Sequence, residues 1–231
     1  MSIAENVALV RQNIARAAIA AGRDPKEITL VAASKMNNAE RVREAIAAGV
    51  DACGENRVQE LVEKNSQGAY AGAALHFIGH LQRNKVKQVV GVAELIHSVD
   101  SLPLLAAINA AAEAKGIKQQ LLLEVNIGRE LSKSGFAAGE IGEVLEKAGH
   151  FSSIWVRGLM AIPPICAFPE ENHPYFVDMQ QLFIDNSEKK YDNVSMDFLS
   201  MGMSGDYAEA IACGSTMVRV GAAIFGARVY N

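Results

Sequence analysis

The chain has 231 residues, half of them apolar and 21% charged, with a formal net charge of −4 at pH 7. That length suits one domain with a sizeable core, and the acidic balance argues against a general affinity for nucleic acid or an anionic membrane surface. No uncharged apolar run approaches the roughly 18–20 residues that span a bilayer, and residues 1–6 lack the basic and apolar regions of a secretory leader, so a cytoplasmic protein is expected.

Residues 3–20 read as an amphipathic helix, with Ile3, Val7, Val10, Ile14 and Ala18 at three- and four-residue spacing. Gly22 supplies a stop, so residues 1–22 are expected as a helix packed on the body that follows. A β-rich apolar run over 28–34 then ends abruptly in Lys35. From there strand-like and helix-like segments alternate: helix 39–48, strand 51–56, helix 58–63, strand 75–80, a helix carrying Val86, Val89 and Val90, and strand 94–99. Ser101-Leu102-Pro103 predicts an N-cap with proline in the first turn of a helix ending at Gly116. Strand 119–126, helix 139–148, strand 154–162, helix 174–189, strand 197–201, helix 207–212 and strand 217–221 follow, with a last short helix from Ala222.

Eight strands alternating with helices, in units of about 20–30 residues, predict an α/β fold: a single (β/α)8 TIM-type barrel with an extra N-terminal helix. The competing open doubly wound sheet would want a glycine-rich phosphate loop after the first strand. Lys35-Met36-Asn37-Asn38 stands there instead. No linker or low-complexity tract divides the chain, so residues 1–231 are expected as one domain.

Chemistry in such barrels sits at the C-terminal strand ends. Here those are Lys35, Asn56, His80, Ser98, Asn126, Met160, Ser200 to Ser204, Arg219 and Gly221. Lys35 has two readings: a strand-end lysine whose head reaches water, or an amine whose pKa apolar walls depress until it can form a Schiff base. Phosphate, where such barrels bind it, meets the loops after strands seven and eight. Those loops are Met201-Gly202-Met203-Ser204-Gly205-Asp206 and Gly221-Ala222-Ala223. Each could be an ordinary turn or cap, or could offer a hydroxyl and backbone N–H groups to an anion. Arg219, flanked by valines in the last strand, needs a partner if buried. It either pairs with Glu124 or Asp197, or donates to an aromatic ring nitrogen or a phosphate. An amine, a phosphate cradle and an arginine around one pocket suggest pyridoxal phosphate.

Other residues carry blander readings. Cys53, Cys166 and Cys213 are far apart and outside any CxxC pair, and the five histidines lack ligand spacing, so no metal is expected and the thiols read as reduced. Arg83, Lys85 and Lys87 read as a solvated helix face. Met196, Met201 and Met203 read as packing residues and His80 as a hydrogen-bonded strand-end histidine.

The sequence resembles the pyridoxal-phosphate homeostasis protein family, whose fold is similar to the barrel domain of bacterial alanine racemase. The likeness runs through residues 31–35, Gly54-Glu55-Asn56-Arg57-Val58-Gln59-Glu60, residues 76–85, Val125-Asn126 with Glu130, Lys133 and Gly135-Phe136, and Arg157-Gly158-Leu159-Met160. It ends on Leu199-Ser200-Met201-Gly202-Met203-Ser204, Val218-Arg219-Val220-Gly221 and Ile224-Phe225-Gly226. The resemblance implies that Lys35 carries pyridoxal 5'-phosphate as a Schiff base. It also implies that Ser204, Gly205, Gly221 and Ala222 hold the phosphate, that Arg219 faces the ring nitrogen or the phosphate edge, and that Asn56 lies near. The family commonly has threonine after the lysine, where this chain has Met36.

The function so implied is cofactor homeostasis without catalytic residues, serving pyridoxal-phosphate-dependent apoenzymes. A racemase-like enzyme and a cofactor-free Schiff-base aldolase are the alternatives. Racemisation needs acid and base on opposite ring faces. In the racemases the opposing tyrosine comes from a C-terminal β-domain of a partner subunit, and residues 222–231 are too few to be one. A carrier, and a monomer, are therefore expected.

Overall fold

Thr29-Leu30-Val31-Ala32-Ala33 is the kind of apolar, β-branched run that survives only where both faces of a strand are covered. In the computed structural model, which describes residues 1–130, 132–188 and 191–226, it is β1 (Thr29–Ala33). After it come β2 (Ala52–Glu55), β3 (Ala74–Phe77), β4 (Leu95–Val99), β5 (Gln119–Val125), β6 (Ile154–Ala161), β7 (Val194–Met203) and β8 (Met217–Val220). Each pairs in parallel with its sequence neighbours, and β8 returns to β1 in the register Thr29↔Met217 and Val31↔Arg219, closing the barrel. Val31, Ala52, Leu95, Leu122, Met160 and Met217 form one buried cluster, separate from the larger apolar layer that includes the helices' buried faces.

The helices are α1 (Ile3–Ala20), α2 (Ala39–Ala47), α3 (Val58–Ser66), α4 (Val86–Val89), α5 (Leu102–Ala114), α6 (Ile141–Ala148), α7 (His173–Ser187), α8 (Tyr207–Ala212) and α9 (Ala222–Phe225). A capping box opens α1: Ser2 Oγ accepts from Glu5 N at 3.2 Å while Ser2 N donates to Glu5 Oε2 at 2.7 Å. Its buried stripe is Ile3, Val7, Val10, Ile14 and Ala18. Gly22 N donates to the Ile19 carbonyl and Arg23 N to the Ala18 carbonyl, the paired bonds of a Schellman stop. The stripe packs against α2, α8 and α9. Asn6 Nδ2 donates to the Ile224 carbonyl at 2.8 Å, and Arg23 to the carbonyls of Ile211 and Ser215, so α1 braces the last two βα units.

Four local expectations are corrected. Strand 197–201 is longer, because Val156 of β6 offers Val194 a ladder partner that the mixed stretch Ser195-Met196-Asp197 does not advertise. Strand 75–80 is shorter, ending at Phe77, so His80 lies three residues beyond it. Helix 58–63 extends to Ser66, and helix 174–189 begins at His173 and runs to Ser187, with Lys189 outside the described residues. Among the described residues no helix is long and apolar enough to cross a membrane.

Candidate functional site

A pocket of about 260 Å³ opens at the C-terminal mouth of the barrel, at the small end of ligand cavities. Lys35 and Asn37 line it from beyond β1, Met203, Ser204 and Gly205 from β7 and the turn after it, and Arg219, Gly221, Ala222 and Phe225 from β8 and α9. Six of the seven sequence-predicted site residues are thus brought together; Asn56 is outside this lining. A larger open depression of about 580 Å³ surrounds Ala74, Glu94 and Gln119 at the opposite, N-terminal strand ends. Barrels place stabilising rather than reactive groups on that face, so the smaller pocket is the candidate.

Lys35 sits two residues past the end of β1, half-buried, in a turn whose next residue, Met36, has φ 63°. A non-glycine residue in the left-handed region persists only when its surroundings over-determine it. Here α3 does so. Lys64, almost fully buried, donates from Nζ to the Ser34 carbonyl at 2.9 Å, to Glu55 Oε1 at 2.8 Å and to Glu60 Oε2 at 3.2 Å. Glu60 Oε2 also accepts from Met36 N at 2.7 Å, so the backbone is pinned on both sides of Lys35. Glu55, wholly buried, further accepts from Ser34 Oγ at 2.6 Å and from the Tyr70 hydroxyl at 3.1 Å. Burial, with the Glu55 carboxylate beside it, pushes the Tyr70 phenol up, which keeps it a donor. Lys64 and Glu60 had no signal in the sequence beyond their place in the Gly54–Glu60 neighbourhood. On a helix with this spacing they look like an ordinary solvated pair.

Arg219 is 4% exposed. One terminal nitrogen donates to Ser200 Oγ at 2.5 Å and the other to the Ala161 carbonyl at 3.0 Å. Burial lowers its pKa to about 10, with Glu124 and Asp206 opposing, so the guanidinium remains charged at neutral pH. Of the two carboxylates expected as partners, Asp197 is bound to Arg157 instead, on the far half of β7. Glu124 is near enough to feel Arg219, but burial raises its own pKa. The Ser200 hydroxyl, filled on one side by the guanidinium, has its proton free for His97 Nδ1 at 3.1 Å; His97 Nε2 then donates to His76 Nδ1 at 3.0 Å. Burial pulls both imidazoles well down, so they are neutral, and a permanent cation at one end sets the direction of every bond in the row. Ser200 is therefore a buried support rather than a strand-end site residue.

Ser204 Oγ accepts from Gly221 N at 3.1 Å and from Ala223 N at 3.4 Å, at the start of α9. Gly202, at φ +91°, lets the end of β7 pass close under α8, since a Cβ there would stand 2.6 Å from Ala210 Cβ. A Cβ at Gly205 would meet nothing within 4 Å, so that backbone opens on free space. Arg41 joins the two rims of the pocket: its Nε donates to Asn37 Oδ1 at 2.9 Å and a terminal nitrogen to the Phe225 carbonyl. The set of an amine, a charged guanidinium, a hydroxyl and clustered backbone N–H groups fits an anionic carbonyl compound.

The other strand ends do different work. Asn126 ties its own loop, accepting from Glu130 N and donating to the Glu130 and Lys133 carbonyls. Ser98 donates to the Gly79 carbonyl, and His80 is exposed beside Asp100 at 3.2 Å. Met160 and Met201 are core, while Met203 lines the pocket. Asn56 Oδ1 is buried without a partner among the described residues.

The model of the alanine racemase N-terminal domain family matches residues 6–229. A pyridoxal phosphate homeostasis protein of Pseudomonas aeruginosa is 40% identical over 230 residues, covering 100% of this chain and 97% of the relative. PipY of Synechococcus elongatus PCC7942, solved with pyridoxal phosphate bound, superposes with a TM-score of 0.83 at 31% identity, over 97% of this chain and 100% of its own. An alanine racemase of Clostridium difficile, at 15% identity and a TM-score of 0.73 over 98% of this chain and 61% of its own, shares the fold alone. The chain belongs to the alanine racemase N-terminal domain family and, within it, to the pyridoxal phosphate homeostasis proteins.

Proposed function

We propose that this chain binds pyridoxal 5'-phosphate in the mouth of the barrel and holds it for delivery, without turnover. The observation that carries the reading is the convergence of Lys35, Arg219 and the Ser204–Gly221 cradle on one small pocket. When bound, the cofactor supplies an aldehyde open to a primary amine and an aromatic ring able to withdraw electrons. Lys35 presents the amine, aimed by the Lys64–Glu60 clamp beneath it. Ser204, Gly205, Gly221 and Ala222 hold the phosphate, and Arg219 presents donors to the ring nitrogen or the phosphate edge. Asn56 is a neighbour of the site, its buried Oδ1 without a partner among the described residues.

Holding rather than turnover is supported by the lining itself. Among the described residues, its titratable side chains are Lys35 and Arg219. A guanidinium is a poor acid or base near neutrality, which leaves one competent group where racemisation needs two. We read the working unit as a monomer and one barrel domain, with α1 as its brace. Its recipients are apoenzymes that depend on the cofactor, and its three free thiols suit the cytoplasm.

The test is the visible absorbance of the purified protein before and after borohydride, with the reduced adduct located by peptide mass. A bleachable band mapping to Lys35, absent from Lys35→Ala, is expected. A protein that added pyridoxal phosphate cannot tint overturns the reading. Deuterium exchange at the α-carbon of amino acids then separates holding, which gives none, from enzyme action.

A further inference from the structure

We propose that His173, Glu209 and Cys213 form a site for one borderline-soft divalent metal ion of the zinc class, on the outside of the barrel between α7 and α8. Their ligand atoms, one from each side chain, all lie within 4.8 Å of one another. Cys213 Sγ is 3.6 Å from His173 Nδ1, and that same nitrogen contacts Glu209 Oε1. A tetrahedral zinc ion with bonds of about 2.0–2.3 Å has ligand-to-ligand edges of about 3.3–3.8 Å, so the sulfur–nitrogen edge is already in place. Glu209 sits closer than an edge, so the exposed His173 ring and the part-exposed Glu209 carboxylate would move apart to admit the ion.

The backbone under the trio is fixed. Glu209, in the first turn of α8, and Cys213, its C-cap, are four residues apart and share one helix face, the Cys213 N–H donating to the Glu209 carbonyl. His173 opens α7, and the residue before it, Asn172, is buried and donates from Nδ2 to Asp206 Oδ2 at 2.9 Å, seating α7 on the turn that leads into α8. Cys213 is 3% exposed, while the His173 side chain is 55% exposed. The sulfur thus forms a floor, and the fourth coordination position faces water.

Glu209 Oε1 and Cys213 Sγ both converge on His173 Nδ1, which has one hydrogen-bonding position and so can serve only one of them at a time. One cation in the middle satisfies all three, the thiol giving its proton to solvent as the sulfur binds. Thiolate, imidazole and carboxylate together favour zinc-class ions over magnesium or calcium, which take oxygen ligands. None of the three side chains lines the cofactor pocket, so the site is separate from it.

The experiment is a titration of the chelator-treated full-length protein with Co²⁺, followed by absorbance. One equivalent should bind with tetrahedral visible bands and a thiolate-to-cobalt charge-transfer band, and Zn²⁺ should displace it. Cys213→Ser should lose the charge-transfer band, and Glu209→Gln, at a part-exposed position, should weaken binding about tenfold or more. Cys166→Ser should keep both signals. Circular dichroism and the cofactor adduct at Lys35 report that each variant is folded. Absence of the thiolate band in the unmodified protein, its survival in Cys213→Ser, or its loss in Cys166→Ser alone overturns the site.

Discussion

Lys64 shows how a reactive side chain is aimed by one that never touches the ligand. Its ammonium is taken from water and repaid by Glu55, Glu60 and the Ser34 carbonyl, all within hydrogen-bonding distance. Removing it strands the Glu55 carboxylate in the interior. Lys64→Met should therefore cost about 3–5 kcal/mol, as lost partners of buried ion pairs do, read as a lower urea midpoint. The surviving folded protein should load pyridoxal phosphate more slowly, because the turn at Met36 is no longer held. Arg219→Gln keeps a donor for Ser200 but loses the charge and the planar fork, so cofactor should dissociate faster while the circular dichroism spectrum stays unchanged. A variant that retains cofactor as well as the parent would remove Arg219 from the binding set.

At the scale of elements, β6 and β7 come together at a glycine. Gly158, opposite Phe198 in the ladder, has φ +143°, and a Cβ there would lie 1.9 Å from the Phe198 carbonyl oxygen. No rotamer relieves a clash with backbone. Gly158→Ala should lower stability by about 2–4 kcal/mol, seen as a shifted urea midpoint with unchanged slope; a loss under about 0.5 kcal/mol would show that the two strands can separate there. The same pair of strands marks where local pattern stopped being readable. Residues 119–126 and 154–162 advertise themselves by apolar clusters, Leu121-Leu122-Leu123 in the first, Ile154-Trp155-Val156 and Leu159-Met160-Ala161-Ile162 in the second. Val194-Ser195-Met196-Asp197 does not, because that end of β7 lies at the barrel's polar edge, with Asp197 on Arg157 and Ser195 accepting from the Trp155 indole. Its strand character comes from the ladder that β6 provides.

The whole molecule carries a pH dependence set by its central imidazoles. In an unfolded chain histidine titrates near 6.5. Burial lowers His76 to about 4 and His97 well below its ordinary value. Below about pH 6.5 the unfolded chain takes up protons that the folded one refuses, so stability falls as pH drops from 6.5 towards 4 and is level above that window. His76 alone accounts for on the order of 3 kcal/mol across it. Glu124, raised by burial, works in the opposite sense, but one carboxyl is set against two imidazoles. Urea midpoints measured from pH 4 to 8 should trace that fall; a midpoint independent of pH would mean the two rings can take up protons without unfolding.

Periodicity is local, and what is local was legible in the chain by itself. Three- and four-residue spacing gave the buried stripe of α1, alternation of strands and helices gave eight βα units, and the rule of strand ends gave Lys35, Ser204, Arg219 and Gly221 as neighbours. Only the tertiary structure decided what each of those residues leans on. The partners are distant in sequence: Lys64 under Ser34, Ser200 and His97 under Arg219, Arg41 across to Phe225, and His173 beside Cys213. Closure of β8 onto β1 and the register of each ladder bring them together. A lysine on a helix or a histidine in a strand has the same appearance in sequence whether its partner is water or a buried carboxylate, because burial is a property of the assembled barrel and not of any segment within it.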